Sequence, residues 1–214
     1  MKKTTDRNHI RILLVEAQEI FRLGIAAALE AEDDLEIAAQ AGTSLEGFRL
    51  FESELPDVVI TALRLPDSCA IDDLPRYFSI KKGARVIVLA ERAGDAEISK
   101  ALRLGALGYI CKDAAPAELI GAIRKAAAGK RYVSRGIAEI LTENIWREEL
   151  TPAETRVLDM LVGGMSNKEI CFALDVSENT VKTHISSIFG KLGVADRTSA
   201  ATLAIKRGLV KIDL

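Results

Sequence analysis

The chain has 214 residues, 49% hydrophobic and 28% charged, with a formal net charge of −2, which suits two compact domains and gives no compositional sign of disorder, collagen or coiled coil. Three widely spaced cysteines, Cys69, Cys111 and Cys171, and two histidines, His9 and His184, argue against a disulfide framework, a zinc site or a Ser/His/Asp triad. No apolar run approaches the roughly 20 residues of a spanning helix and no signal peptide is read at the polar start, so a cytoplasmic protein with no metal, no cofactor and no enzymatic activity is expected.

In chain order, Ile10–Val15 reads as a buried strand, and Ile20, Phe21, Ile25, Ala28 and Leu29 recur at helical spacing over Glu19–Glu30. Leu35–Ala39 is the second strand, and Leu45, Phe48, Leu50 and Phe51 mark the second helix. Pro56 introduces a third strand over Asp57–Thr61, and a third helix is expected near Asp73–Ile80. Arg85–Leu89 is the fourth strand, Asp95–Leu104 a helix capped by Asp95, Gly108–Cys111 the fifth strand, and Pro116 opens a helix to Ala128. This alternation predicts an α/β domain over residues 9–128, a doubly wound five-stranded parallel sheet. The functional crevice of such a sheet lies at the carboxyl ends of its strands, here Glu16, Ala17, Ala62, Ala90 and Lys112.

Residues 129–149 read as a helical connector through Ile137, Ile140, Leu141 and Ile145, with Trp146 as a packing residue. An all-α domain of four helices is expected over 150–214. Thr151, Pro152 and Glu154 form a capping box at the start of its first helix, which Gly163-Gly164 ends. Ser166 and Glu169 form a second box, opening a short helix through Ile170, Ala173 and Leu174. After a turn at Asp175-Val176, Ser177 caps a longer helix, Glu178–Leu192. A short helix, a turn and a longer helix make a helix-turn-helix.

Val181, Ile185, Ile188 and Leu192 form the apolar stripe of that longer helix. The opposite face carries Asn179, Thr183, Ser186 and Gly190, flanked by Lys182 and Ser187, small or hydrogen-bonding groups of the kind that read base edges in a major groove. Residues 151–214 hold 8 Lys and Arg against 7 Asp and Glu, so DNA affinity must come from placement of contacts, not bulk charge.

The run LTPAETRVLDMLVGGMSNKEICFALDVSENTVKTHISSIFGKLGVADRTSA closely resembles the LuxR/GerE helix-turn-helix family. The resemblance implies that Lys182, Thr183 and Ser186 face base edges and that Thr180, Lys191, Arg197 and Thr198 lie within reach of phosphates. Lys168, Asn179 and Ser187 complete the expected DNA-facing set. His184 is expected to pack and to touch a phosphate, not to catalyse. A helix over Arg197–Arg207 is the expected dimer contact, so the implied partners are a second copy of the chain and a roughly palindromic double-stranded operator.

The strings IRILLVEAQEIFRLGIAAAL, LPDVVITALRLPDS, ARVIVLAERA and LGYICKDAAPAELIGAI resemble the receiver domain of bacterial response regulators, and with the carboxy-terminal match the likeness to the NarL/FixJ type covers nearly the whole chain. A receiver carries an aspartate nucleophile at the end of its third strand, an acidic pair that holds Mg²⁺, a hydroxyl on the fourth strand and a lysine on the fifth. Here the nucleophile position holds Ala62, whose methyl group cannot form an acyl phosphate. The acidic pair is Glu16-Ala17, the hydroxyl position is Ala90, and Lys112 and the switching aromatic Tyr109 remain. Asp57 stands about 16 Å away at the far end of its strand, and Asp67 lies past a turn.

A phosphorylation-independent regulator is therefore expected, with a protein or small molecule as possible input to the receiver-like domain. The alternative is an interaction protein that titrates another regulator. Lys112 is expected to pair with Glu16, because an uncompensated ammonium at a strand edge is costly. Phe21 and Ile25, or Leu119 and Ile123, are candidates for a second dimer surface.

Overall fold

The computed structural model describes residues 9–91, 94–143 and 148–210. The chain divides into two compact units, a sheet unit that runs to Glu139 apart from Gly94–Glu97, and a helical unit that takes in those four residues and the chain from Ile140. Trp146 and Ile145 lie outside the described residues.

The sheet unit alternates β1 (Ile10–Val15), α1 (Glu19–Glu30), β2 (Leu35–Ala41), α2 (Ser44–Glu54), β3 (Val58–Ala62), α3 (Ala70–Ile80), β4 (Val86–Ala90), α4 (Asp95–Leu104), β5 (Gly108–Cys111) and α5 (Pro116–Ala127). The strands lie parallel in the order β2-β1-β3-β4-β5-β6, where β6 is Tyr132–Val133. The sheet thus has six strands, not the five expected. The sixth comes from the segment read as connector: two residues are too short to show alternation, yet Tyr132 N–H still donates to Leu107 O at 2.7 Å and extends the ladder. The helix α6 (Arg135–Glu143) follows.

Because the central strands β3 and β4 are covered on both faces, they are buried throughout and apolar apart from Thr61, whereas the edge strand β2 carries Glu36 and Gln40. Ile12, Leu14, Val58, Ile60, Ile87, Leu89 and Ile110 share one core cluster with Ile25 and Leu29 of α1 and with Leu119, Ile120 and Ile123 of α5. Each such side chain contributes about 1.5–3 kcal/mol on burial. Ile25, Leu119 and Ile123 are therefore core, which corrects their candidacy as a dimer surface; the apolar side chains that α1 does expose are Ile20 and Leu23, 89% and 58% accessible.

On the opposite face Phe48 and Phe51 of α2 close on Tyr77 of α3, with ring centroids 4.6 and 5.1 Å apart. Gly47 permits that approach: a Cβ there would lie 3.0 Å from a methyl of Val15. The third helix starts at Ala70, three residues before the expected Asp73, since Pro75 inside it obscures the helical period. Asp73 is instead a buried tie, accepting hydrogen bonds from Ser44 and Ser68 hydroxyls at 2.7 Å each.

The helical unit contains α7 (Pro152–Val162), α8 (Asn167–Leu174), α9 (Glu178–Leu192) and α10 (Arg197–Arg207). Both expected capping boxes form, Thr151 with Glu154 and Ser166 with Glu169, and Ser177 accepts from Thr180 N–H at 3.1 Å. Asp175, left-handed at φ 53, and Gly193, at φ 68, end α8 and α9. Val181, Ile188 and Leu192 are buried against Val157, Leu158, Leu161, Ile170 and Ala200, with Ile185 partly buried at the edge of the same cluster.

Candidate nucleic-acid interface and receiver crevice

The sequence-derived DNA-facing residues divide by what their side chains touch. Asn179, Lys182, Thr183 and Ser186 lie exposed on α9, as do Lys168 on α8 and Thr198 on α10, while Thr180 and His184 are half-buried. Lys182 Nζ sits 3.0 Å from Glu178, an exposed i,i+4 pair of the kind that contributes only about 0.3–0.5 kcal/mol, so the ammonium is cheaply released to a base. Thr183 donates its hydroxyl hydrogen to Asn179 O at 2.9 Å, which leaves its lone pairs to accept from an amino group of adenine or cytosine. The Thr180 and Ser177 hydroxyls are 2.8 Å apart.

Ser187, Lys191 and Arg197 face inward. The Ser187 hydroxyl donates to Glu154 Oε1 at 2.6 Å, and Lys191 Nζ donates to Glu154 Oε2 at 2.8 Å and to Glu149 O at 3.2 Å. Lys191 keeps 17% of its side chain accessible and Glu154 only 6%. The Lys191 ammonium and the Ser187 hydroxyl outweigh burial and hold the Glu154 carboxyl down at about 2. Arg197 donates to Leu161 O, at the end of α7, at 2.7 Å and to Met165 O, in the turn before α8, at 2.6 Å. In the free protein these three join helices rather than offering charge to phosphate.

Glu154 is the functional residue that sequence reasoning missed in this unit. Its capping role is local and legible. Its second role as the anchor of α9 depends on residues 33 and 37 positions away, for which no local pattern exists.

In the sheet unit the carboxyl ends of β1, β3, β4 and β5 bring Glu16, Ala17, Ala62, Ala90 and Lys112 to one edge. Lys112 Nζ lies 2.9 Å from Glu16 Oε2, as the desolvation argument required, with Glu16 only 1% accessible. Gln18 links the pair to its surroundings: its N–H donates to Glu16 Oε1 at 2.9 Å, its Oε1 accepts from Lys112 at 3.3 Å, and its Nε2 donates to Glu91 at 3.0 Å. Lys112 Nζ also stands 4.9 Å from the centroid of the Phe21 ring. Ala62, Ala90 and Tyr109 are each buried to 1% accessibility, and Ala17 is half-buried.

The two other aspartates are committed elsewhere. Asp57 accepts from Arg11 N–H at 3.0 Å before β3 begins. Asp67 accepts from the N–H groups of Ser44 and Leu45 at 2.8 and 3.0 Å; burial raises its pKa, but those amides at the start of α2 outweigh it and hold the carboxyl below its ordinary value. Among the described residues no three His, Cys, Asp or Glu side chains converge as a metal cage, and none forms a helix long and apolar enough to cross a membrane.

Fold and edge together define a receiver-type parallel sheet in one unit and a helix-turn-helix in the other. Comparison with known proteins agrees: residues 12–124 match the response regulator receiver domain, and residues 148–204 match the bacterial regulatory proteins of the luxR family. The transcriptional regulatory protein LiaR of Bacillus subtilis is 35% identical over 209 residues, covering 94% of this chain and 99% of that protein. The transcriptional regulatory protein MctR of Rhizobium johnstonii is 32% identical, covering 96% and 98%. A solved structure of RcsB from Salmonella enterica serovar Typhimurium, bound to promoter P1flhDC, superposes with a TM-score of 0.74 at 22% identity over 94% of this chain and 100% of that one, a likeness of fold. The chain belongs to the response regulators with a receiver domain and a LuxR-type carboxy-terminal domain, DNA-binding transcriptional regulators of the NarL type.

Proposed function

We propose that this regulator binds a roughly palindromic operator as a homodimer, in the cytoplasm, and that it does so without aspartyl phosphate. Lys182, Thr183 and Ser186 read base edges, with Asn179, Thr180, Lys168 and Thr198 at the flanks. The dimer forms through α10, where Ile205 is 44% accessible, an apolar side chain open to a second copy. Lys191 and Ser187 act by holding α9 against α7, and Arg197 by tying the start of α10 to the end of α7 and the turn after it.

The observation that carries phosphorylation independence is the closed network at the sheet edge. Glu16, the one carboxylate left of the acidic pair, is spent on Lys112, and Lys112 is further held by Gln18. Mg²⁺ needs several oxygen ligands in near-octahedral array, and the methyl groups of Ala17, Ala62 and Ala90 supply none. The residues present do not fit the ion, and no nucleophilic oxygen stands at the end of β3. A domain so tied is a scaffold and an input surface rather than a phosphoryl acceptor.

Incubation of the purified full chain with radiolabelled acetyl phosphate and Mg²⁺ tests this reading. No acid-stable, hydroxylamine-sensitive label should appear on the protein, and footprinting of its own promoter should be unchanged by the treatment. Stable uptake of label dependent on Mg²⁺ overturns it. Absence of protection at any site, together with capture of a second regulator by the sheet unit, would support titration instead.

A further inference from the structure

The face of the sheet covered by α1 and α5 is not fully closed. Gly24 and Ala28 stand one turn apart on α1, and a Cβ built on Gly24 would meet nothing within 4 Å. Small side chains at both places leave a cleft of about 790 Å³, floored by Leu89 and Ile110 and walled by Gly24, Ala28 and Leu119, with Lys112 at its end. Protein interiors pack to the density of organic crystals and leave few voids larger than a water molecule. A mostly apolar space of this size instead falls within the range that accepts drug-sized ligands.

The charges at the end of the cleft decide what kind of molecule fits. Among the described residues Lys112 is the only cation lining it, and its charge is already matched by Glu16 at 2.9 Å. Glu19 is exposed at the rim, so an anion would meet net negative charge. An ammonium has three N–H donors; Gln18 Oε1 accepts one at 3.3 Å, and the 2.9 Å contact with Glu16 Oε2 is an ion pair without hydrogen-bond alignment, which leaves donor capacity for a further acceptor. The Phe21 ring beside Lys112 adds an aromatic surface.

We infer that the cleft between α1 and α5 binds a small, neutral, mainly apolar aromatic molecule whose carbonyl oxygen accepts from Lys112. Such a ligand would touch α1, α5 and the end of β5 at once, coupling its presence to the surface on which Ile20 and Leu23 are exposed. This inference rests on the reading that aspartyl phosphate is not the input. Acetyl phosphate labelling tests that reading alone, and ligand binding tests the cleft alone.

Nile red, a neutral aromatic dye with one ring carbonyl, is the probe, and anilinonaphthalene sulfonate, of similar size but anionic, is its comparator. Fluorescence titration of the full chain should give one Nile red per chain with saturation, and the anionic dye should bind about tenfold more weakly or less, a difference of about 1.4 kcal/mol. Gly24→Leu and Ala28→Phe should each abolish Nile red binding while leaving the thermal transition of the sheet unit unchanged or raised, since replacing a mid-helix glycine favours the helix. Ala27→Phe, on the exposed side of α1, should bind as the unaltered chain does. Nile red should also slow maleimide labelling of Cys111, which lines the cleft, but not of Cys171, read by peptide mass spectrometry. Binding that survives both filling variants overturns the inference, as does equal affinity for the anionic dye. One dye per two chains, with the filling variants shifting the monomer–dimer equilibrium in sedimentation, would assign the cleft to a second copy of the chain and overturn it equally.

Discussion

Two cations on the DNA-binding unit, Lys182 and Arg197, look interchangeable in a sequence and behave oppositely in the structure. Lys182 is 60% accessible with a weak exposed partner, whereas Arg197 donates to two carbonyls, at the end of α7 and in the turn after it. Lys182→Ala should therefore weaken operator binding by about 1–3 kcal/mol, roughly 5- to 150-fold in Kd, if its base contact is bidentate, with unfolding unchanged. Arg197→Ala should lower the unfolding temperature of the helical unit, because Met165 O loses its donor, at about 1–3 kcal/mol, while Leu161 O keeps Gly164 N–H. Band-shift titration and calorimetry of the two variants separate the roles. Loss of stability in Lys182→Ala, or none in Arg197→Ala, would show that the division between reading and holding is misplaced. The exposed, small and hydrogen-bonding face of α9 was legible because a 3.6-residue period separates it from Val181, Ile188 and Leu192. The inward turn of Lys191 and Arg197 was not, since a basic side chain on a helix flank carries no mark of which way it points.

Between elements, the joint of α7 and α9 runs through Glu154. Its carboxyl is held at about 2, against an ordinary value of 4.5, by Lys191 first and Ser187 second, in opposition to burial. A carboxyl with a depressed pKa in the folded state binds its proton more readily once unfolded, so its contribution is fully present above about 4.5 and is lost as the pH falls toward about 2. Glu154→Gln keeps a similar shape but removes the charge opposite Lys191; a charge-assisted hydrogen bond of this kind contributes about 1.5–3 kcal/mol. The variant should unfold several degrees lower at pH 7, and the gap between it and the unaltered chain should shrink as the pH is lowered from about 4.5 toward about 2. A constant gap across that range would remove Glu154 as the joint. Elements of this kind were legible to different depths. Capping boxes at Thr151 and Ser166 are local, and strands such as Val86–Ala90 announce themselves as apolar runs. The strand Tyr132–Val133 and the Glu154 cluster depend on partners distant in the chain, and only the fold brings those together.

At the scale of the whole molecule, a chain of net charge −2 that binds DNA must do so with few charged contacts, and the number of cations free to reach phosphate sets its salt dependence. Lys168 and Lys182 are exposed near the reading face, whereas Lys191 and Arg197 are engaged within the unit. Since Lys182 is assigned to a base, the proposed dimer would bring about two free cations, its Lys168 side chains, to phosphate, and with a slope near −0.9 per neutralised phosphate, log K should fall with log salt concentration at about −2. If binding drew Lys191 and Arg197 out of their internal bonds, about six cations would meet phosphate and the slope would approach about −5, at the cost of the contacts that hold α9 and α10 to α7. Operator affinity measured from 50 to 300 mM potassium chloride distinguishes the two. The steeper slope would mean that α9 loosens from α7 on binding. The shallower one means that the reading helix arrives preformed, with its specificity carried by Thr183, Ser186 and Lys182 rather than by charge.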